Sequence, residues 1–145
     1  MNRSGRVSLL GVLGLLSIVL VLGILFMSRE SLTSVGGRFM SALAAGDVET
    51  LTKMTYLGKR SPDEVRKQWD FAVNKAGKYY NFRYKITASR QADANSGTVT
   101  MQIIRDADNP SSYEEKREIP LLKVGEDWKV DVANISRDVY PGLPR

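Results

Sequence analysis

Hydrophobic and polar positions follow three regimes along the chain: an unbroken apolar run, then a helical period, then strict alternation. Val7 to Met27 carries no charge, and at about 1.5 Å per helical residue such a run matches a hydrocarbon core of roughly 30 Å. It predicts a single transmembrane helix with the lipid bilayer as its partner. The run closes as Phe26-Met27-Ser28-Arg29, without the small-residue cleavage pattern of a secretory leader, so residues 1–28 are expected to be a cytoplasmic stub and a retained signal anchor. Arg3 and Arg6 precede it while Arg29 behind it is offset by Glu30. The positive-inside rule then places the N-terminus in the cytoplasm and the remainder on the outer side of the inner membrane, periplasmic or extracellular.

Beyond Glu30 the period becomes helical. Leu32, Val35, Phe39, Met40 and Leu43 recur at three- and four-residue steps and form one apolar stripe. Gly46 stops this helix and Asp47 caps a short second one, with Val48, Leu51 and Met54 inward. A third helix starts at Ser61-Pro62-Asp63-Glu64, where Ser61 is the cap, Pro62 takes the first helical position and Glu64 completes a capping box. Val65, Trp69, Ala72, Val73 and Ala76 are its predicted buried face, and Gly77 ends it.

After Gly77 the period is two. Tyr80, Phe82, Tyr84 and Ile86 point one way, and Asn81, Arg83 and Lys85 the other. A second strand carries Val99, Met101 and Ile103, a third runs up to Val124, and a fourth follows Gly125 with Trp128, Val130 and Val132 inward. Pro120, which cannot donate to a ladder, predicts an edge or a kink in the third strand. The expected architecture is α+β: the transmembrane helix, then three helices packed on a curved antiparallel sheet of about four strands over residues 29–133, then an extended tail, residues 134–145.

The segment FMSALAAGDVETL, with Phe39, Ala42, Gly46 and Asp47, the capped third helix and EIPLLKVGEDWKVDV with Trp128 resemble the nuclear transport factor two-like superfamily. Its cone-shaped fold is shared with ketosteroid isomerase and scytalone dehydratase. Within it the chain is most similar to small bacterial envelope domains of the lumazine-binding-like group. The resemblance covers residues 32–133 and implies a cone whose catalytic members carry Asp, Tyr or His inside. The matching residues have packing and turn roles, so the resemblance implies a fold without a reaction.

Composition narrows the chemistry. The chain has no cysteine and no histidine, which excludes disulfides, thiolate nucleophiles, imidazole metal ligands and Ser-His-Asp triads. A net charge of +5 includes Arg3 and Arg6, and without a basic stripe interleaved with exposed aromatics no nucleic-acid partner is expected. Lys53 to Arg90 is strongly basic and Gln91 to Asp131 acidic, a segregation read as two solvated surfaces or, as the alternative, as a basic segment facing anionic lipid headgroups or an acidic partner. Asp70 with Tyr80 or Tyr84 is the one acid-base pair open to the chain, and Asp70 is turned about 100° from Trp69 towards solvent. Glu114-Glu115 and Asp106-x-Asp108 sit in or beside a loop without the oxygen spacing of a calcium site. No catalytic residue, metal or cofactor is assigned.

Two candidate sites follow. Trp69, Tyr80, Phe82 and Tyr84 are either core or the lining of a pocket for an apolar ligand. Val139, Tyr140 and Leu143 in the tail either fold back or dock on a partner subunit. The favoured function is a membrane-anchored, non-catalytic interaction or accessory domain of a larger membrane complex. The alternatives are a small apolar-ligand-binding module and, behind it, an isomerase- or dehydratase-like enzyme.

Overall fold

A computed structural model describes Gly14 and residues 16–20, 30–106 and 108–145. The chain divides into two compact units, Met1–Glu30 and Ser31–Arg145. In the first, Gly14 and residues 16–20 are helical, and Leu16, Ile18, Val19 and Leu20 are exposed. Among the described residues no helix is long and apolar enough to cross a membrane. This corrects the expected fold class: the transmembrane helix, the single-pass signal anchor and the inner-membrane location are withdrawn. The remainder of Val7 to Met27 lies outside the described residues.

The second unit opens with three helices. Helix α1, Leu32–Ala45, is capped by Ser31 and closed by Gly46, whose φ of 70° favours glycine. Helix α2, Val48–Met54, is capped by Asp47, whose carboxylate accepts from the Thr50 N–H. Helix α3, Pro62–Phe71, begins with the complete capping box of Ser61 and Glu64. All three bury the predicted stripes: Val35, Phe39, Met40 and Leu43, then Leu51 and Met54, then Val65 and Trp69. The predicted third helix departs from α geometry at its end, where Ala72–Ala76 forms a π turn. The wider turn rotates the phase, so Ala72 is buried while Ala76 is exposed.

The sheet has five strands, one more than the pattern predicts, in the order β1-β5-β4-β3-β2. Strand β1 is only Thr55–Tyr56, parallel to β5, Asp127–Asp131. Strands β2 (Phe82–Gln91), β3 (Ser96–Arg105), β4 (Glu114–Val124) and β5 are successively antiparallel. Pro120 stays in register opposite Thr98, and the β4–β5 ladder begins one residue later at Leu121 and Val130. The proline therefore needs no kink, because it stands outside that ladder. The only register shift in the β2–β3 and β3–β4 pairings lies instead in β2, between Ile86 and Ala88. Helices cover the face carrying Val99, Met101, Ile103, Ile119, Leu121 and Val130, all essentially inaccessible.

After a 3-10 turn at Val132–Asn134 the tail packs into this same core. Ile135, Val139, Tyr140 and Leu143 are all buried. Arg145 fastens it: its guanidinium donates to the carbonyls of Val132 and Ile135, and its backbone N–H to Gln68 Oε1 at 2.8 Å.

Candidate functional site at the charged end of the inner sheet face

Strand alternation decides which residues reach the helix-covered face, and at one end of that face the inward positions turn from apolar to charged. Arg105 lies two residues beyond Ile103; Arg117 and Glu115 lie two and four before Ile119. Pairing sets Glu115 opposite Ile103, Arg117 opposite Met101, and Arg105 opposite Phe82. The sheet therefore delivers two guanidiniums and a carboxylate to one place.

Glu115 Oε2 accepts from Arg105 Nη2 at 2.7 Å and also from Arg117 Nη2. The tail adds a second carboxylate: Asp138 Oδ2 accepts from Arg117 Nη2 at 2.5 Å and stands 3.6 Å from Arg105 Nη2. Every one of these contacts uses a terminal Nη2. The Nε atoms of Arg105 and Arg117 are buried and have no hydrogen-bond partner among the described residues. Glu115 is 15% exposed and Asp138 47%. The first is a fixed part of the sheet; the second lies at the rim.

Aromatic rings border the charges. Tyr140 stands edge-on to Tyr80 and Phe82, with centroids 5.2 and 6.1 Å away. Gly77 makes room for it, since a Cβ there would lie 2.5 Å from Tyr140 Cζ. Burial raises the hydroxyl pKa of both Tyr80 and Tyr140 above the ordinary phenol value. Asp138 is held below the usual carboxylate range, first by the Ser136 hydroxyl donating to it and then by its own backbone N–H and by Arg117 and Arg105.

The residues singled out from the sequence are only partly brought together. Trp69 is fully buried in the core, its Nε1–H donating to Thr55 Oγ1 at 2.8 Å and its ring edge-on to Phe39. Tyr80, Phe82 and Tyr84 form the expected stripe on β2 and its approach, half-buried, with Tyr84 bonded to Ser41 and to the Gly37 carbonyl. Val139, Tyr140 and Leu143 lie within the domain's own core and present almost no apolar surface to a partner. Asp70 is exposed on α3, bonded to Asn74, in a surface hollow of about 450 Å³ with Asp63, Arg66 and Lys67. Its bond to Asn74, and those of Tyr80 to the Val139 carbonyl and Tyr84 to Ser41 and Gly37, assemble no Asp–Tyr acid-base pair. Among the described residues no three carboxylates stand close enough to hold a metal ion. Sequence reasoning passed over Arg105, Arg117 and Asp138, although charge at the inward phase of a strand was a usable signal for the two arginines.

No family profile and no curated protein matches the chain. Solved structures with a similar fold include a SEC-C motif containing protein from Rhodopseudomonas palustris, 13% identical over 70% of this chain and 75% of that one, with a TM-score of 0.49. An NTF-2 like protein of unknown function from Shewanella oneidensis is 8% identical over 68% and 89%, with a TM-score of 0.48. A ketosteroid isomerase-like protein from Erwinia carotovora atroseptica is 13% identical over 68% and 86%, with a TM-score of 0.46. The structural neighbours thus include NTF-2-like and ketosteroid isomerase-like proteins, and values this low speak to neither membership nor activity.

Proposed function

We propose that Ser31–Arg145 is a non-catalytic module that binds a small anionic ligand at Arg105 and Arg117. The observation that carries this reading is the pair of inward guanidiniums whose Nε donors are buried and have no partner among the described residues. A buried donor left unsatisfied costs about 1–3 kcal/mol, so an anionic acceptor reaching these two N–H groups would gain more here than at an exposed arginine. The non-catalytic part rests on protonation. Asp138 is held below the usual carboxylate range and both phenols are pushed upward, so none of the three is poised to exchange a proton near neutrality. A purely apolar ligand is less well served, because Phe39, Met40 and Trp69 are fully buried in the packed core. An accessory role through the tail lacks an exposed apolar surface on Val139, Tyr140 and Leu143.

Thermal denaturation of the full chain with added phosphate, acetate or benzoate tests the reading. At least one anion should raise the melting temperature, and Arg117→Lys, which keeps the charge but loses the planar fork, should reduce that rise. An equal rise in the variant, or no rise with any anion, would overturn it.

A further inference from the structure

We infer that the ligand is a carboxylate bearing an aryl or other flat apolar body, and that Asp138 is a built-in competitor holding its place. This rests on the binding reading above and gives it a ligand class and a control.

Charge balance points to the exchange. Two guanidiniums face two carboxylates, and the two carboxylates are not equivalent. Glu115 is fixed on β4, the central strand in the sheet order, and is largely shielded; it requires a cation at all times. Asp138 comes from an irregular segment, is nearly half exposed, and meets Arg105 only at 3.6 Å. Removing Glu115 would leave buried charge uncompensated, whereas Asp138 can turn into water and leave its place to an incoming anion of equal charge.

Geometry points to a carboxylate. Asp138 sets Oδ2 against the Nη2 atoms while its Oδ1 accepts from the Ser136 hydroxyl, and among the described residues neither Nε–H has an acceptor. A free carboxylate, untethered to backbone, can lie side-on to a guanidinium and accept from Nε and Nη2 together, the bidentate arrangement that the tail does not reach. The surroundings supply the rest of the ligand's outline. Phe82 is paired with Arg105 across the β2–β3 ladder, Tyr80 packs against it at 5.9 Å, and both remain only half-buried. Flat apolar surface therefore borders the guanidinium, and Tyr140 closes the inner side. The ligand needs only the Asp138 carboxylate to leave; the buried ring of Tyr140 can stay.

The test follows the arginine Nε–H signals of the isotopically labelled full chain by NMR during titration with benzoate, with benzamide as the neutral analogue of the same shape. Benzoate is expected to shift the Arg105 and Arg117 Nε–H signals, and benzamide to leave them in place. Asp138→Asn removes the competing charge and should tighten benzoate binding about tenfold, because the competent state is then no longer fractionally populated. Unchanged affinity in a folded Asp138→Asn variant would overturn the competitor role while the binding reading stands. Equal shifts by benzamide would overturn the carboxylate class. Silence of both signals towards benzoate and phosphate, in both proteins, would remove the site altogether.

Discussion

Trp69 and Thr55 show how a single polar contact is positioned by packing. The indole N–H is fully buried, and the Thr55 hydroxyl, itself donating to the Leu51 carbonyl at 2.7 Å, is its acceptor. Thr55→Val keeps the shape but strands the donor, and should cost about 1–3 kcal/mol in chemical denaturation. Gly77→Ala should also destabilise, by about 1–3 kcal/mol, because the new methyl enters the space of Tyr140. Its gain from a stiffer unfolded chain, about 0.4–1 kcal/mol, is the smaller effect. In a Tyr140→Ala background the clash disappears, so the same glycine substitution should become neutral or stabilising, and a double-mutant cycle reads the difference. Asp138 brings a pH dependence of known sign. Its folded pKa is depressed, so its stabilisation is complete above the ordinary carboxylate value of about 3.9 and is lost as pH falls through the depressed value. The stability gap between the wild type and Asp138→Asn should therefore be widest at neutral pH and close in acid. The two arginines were legible in principle, since residues 105 and 117 keep the inward phase of their strands. Asp138 was not, because an irregular tail has no phase to read.

At the scale of elements, local signals proved most legible where a side chain bonds its own neighbourhood. The Ser61–Glu64 capping box needs only residues three apart, and it is complete in the structure. Ser61→Ala should lower stability by about 1 kcal/mol, measured by urea denaturation. Period alone was less reliable at element ends. A π turn absorbs one extra residue per turn, so Ala76 left the buried stripe although its spacing from Trp69 and Val73 fits an ideal α-helix. Strand β1 was invisible because two residues carry no alternation; it exists through its ladder with Val130 and Asp131. Pro120 misled in the opposite sense, since its missing donor matters only if a neighbouring strand faces it.

For the whole molecule, the α+β plan was legible because the change from helical to alternating period is strong, whereas the apolar run of Val7 to Met27 was read by hydropathy alone and no spanning helix stands among the described residues. The tail joins the fold rather than trailing from it. Deleting Val139 to Arg145 removes three buried apolar side chains, each contributing about 1.5–3 kcal/mol, and should lower the melting temperature of the domain steeply. The parallel rung between β1 and β5 has a further consequence, in time rather than in space. It joins residues about 75 positions apart, so its loop is expensive to close and the two strands should meet late in folding, after the β2–β4 meander has formed. Because the Trp69 indole bonds to Thr55, the first residue of β1, its fluorescence is a clock on that late event. In stopped-flow refolding of a Trp128→Phe variant, which leaves Trp69 as the sole indole, the Trp69 signal should lag the far-ultraviolet signal of the sheet; simultaneous traces would show that β1 docks with the rest.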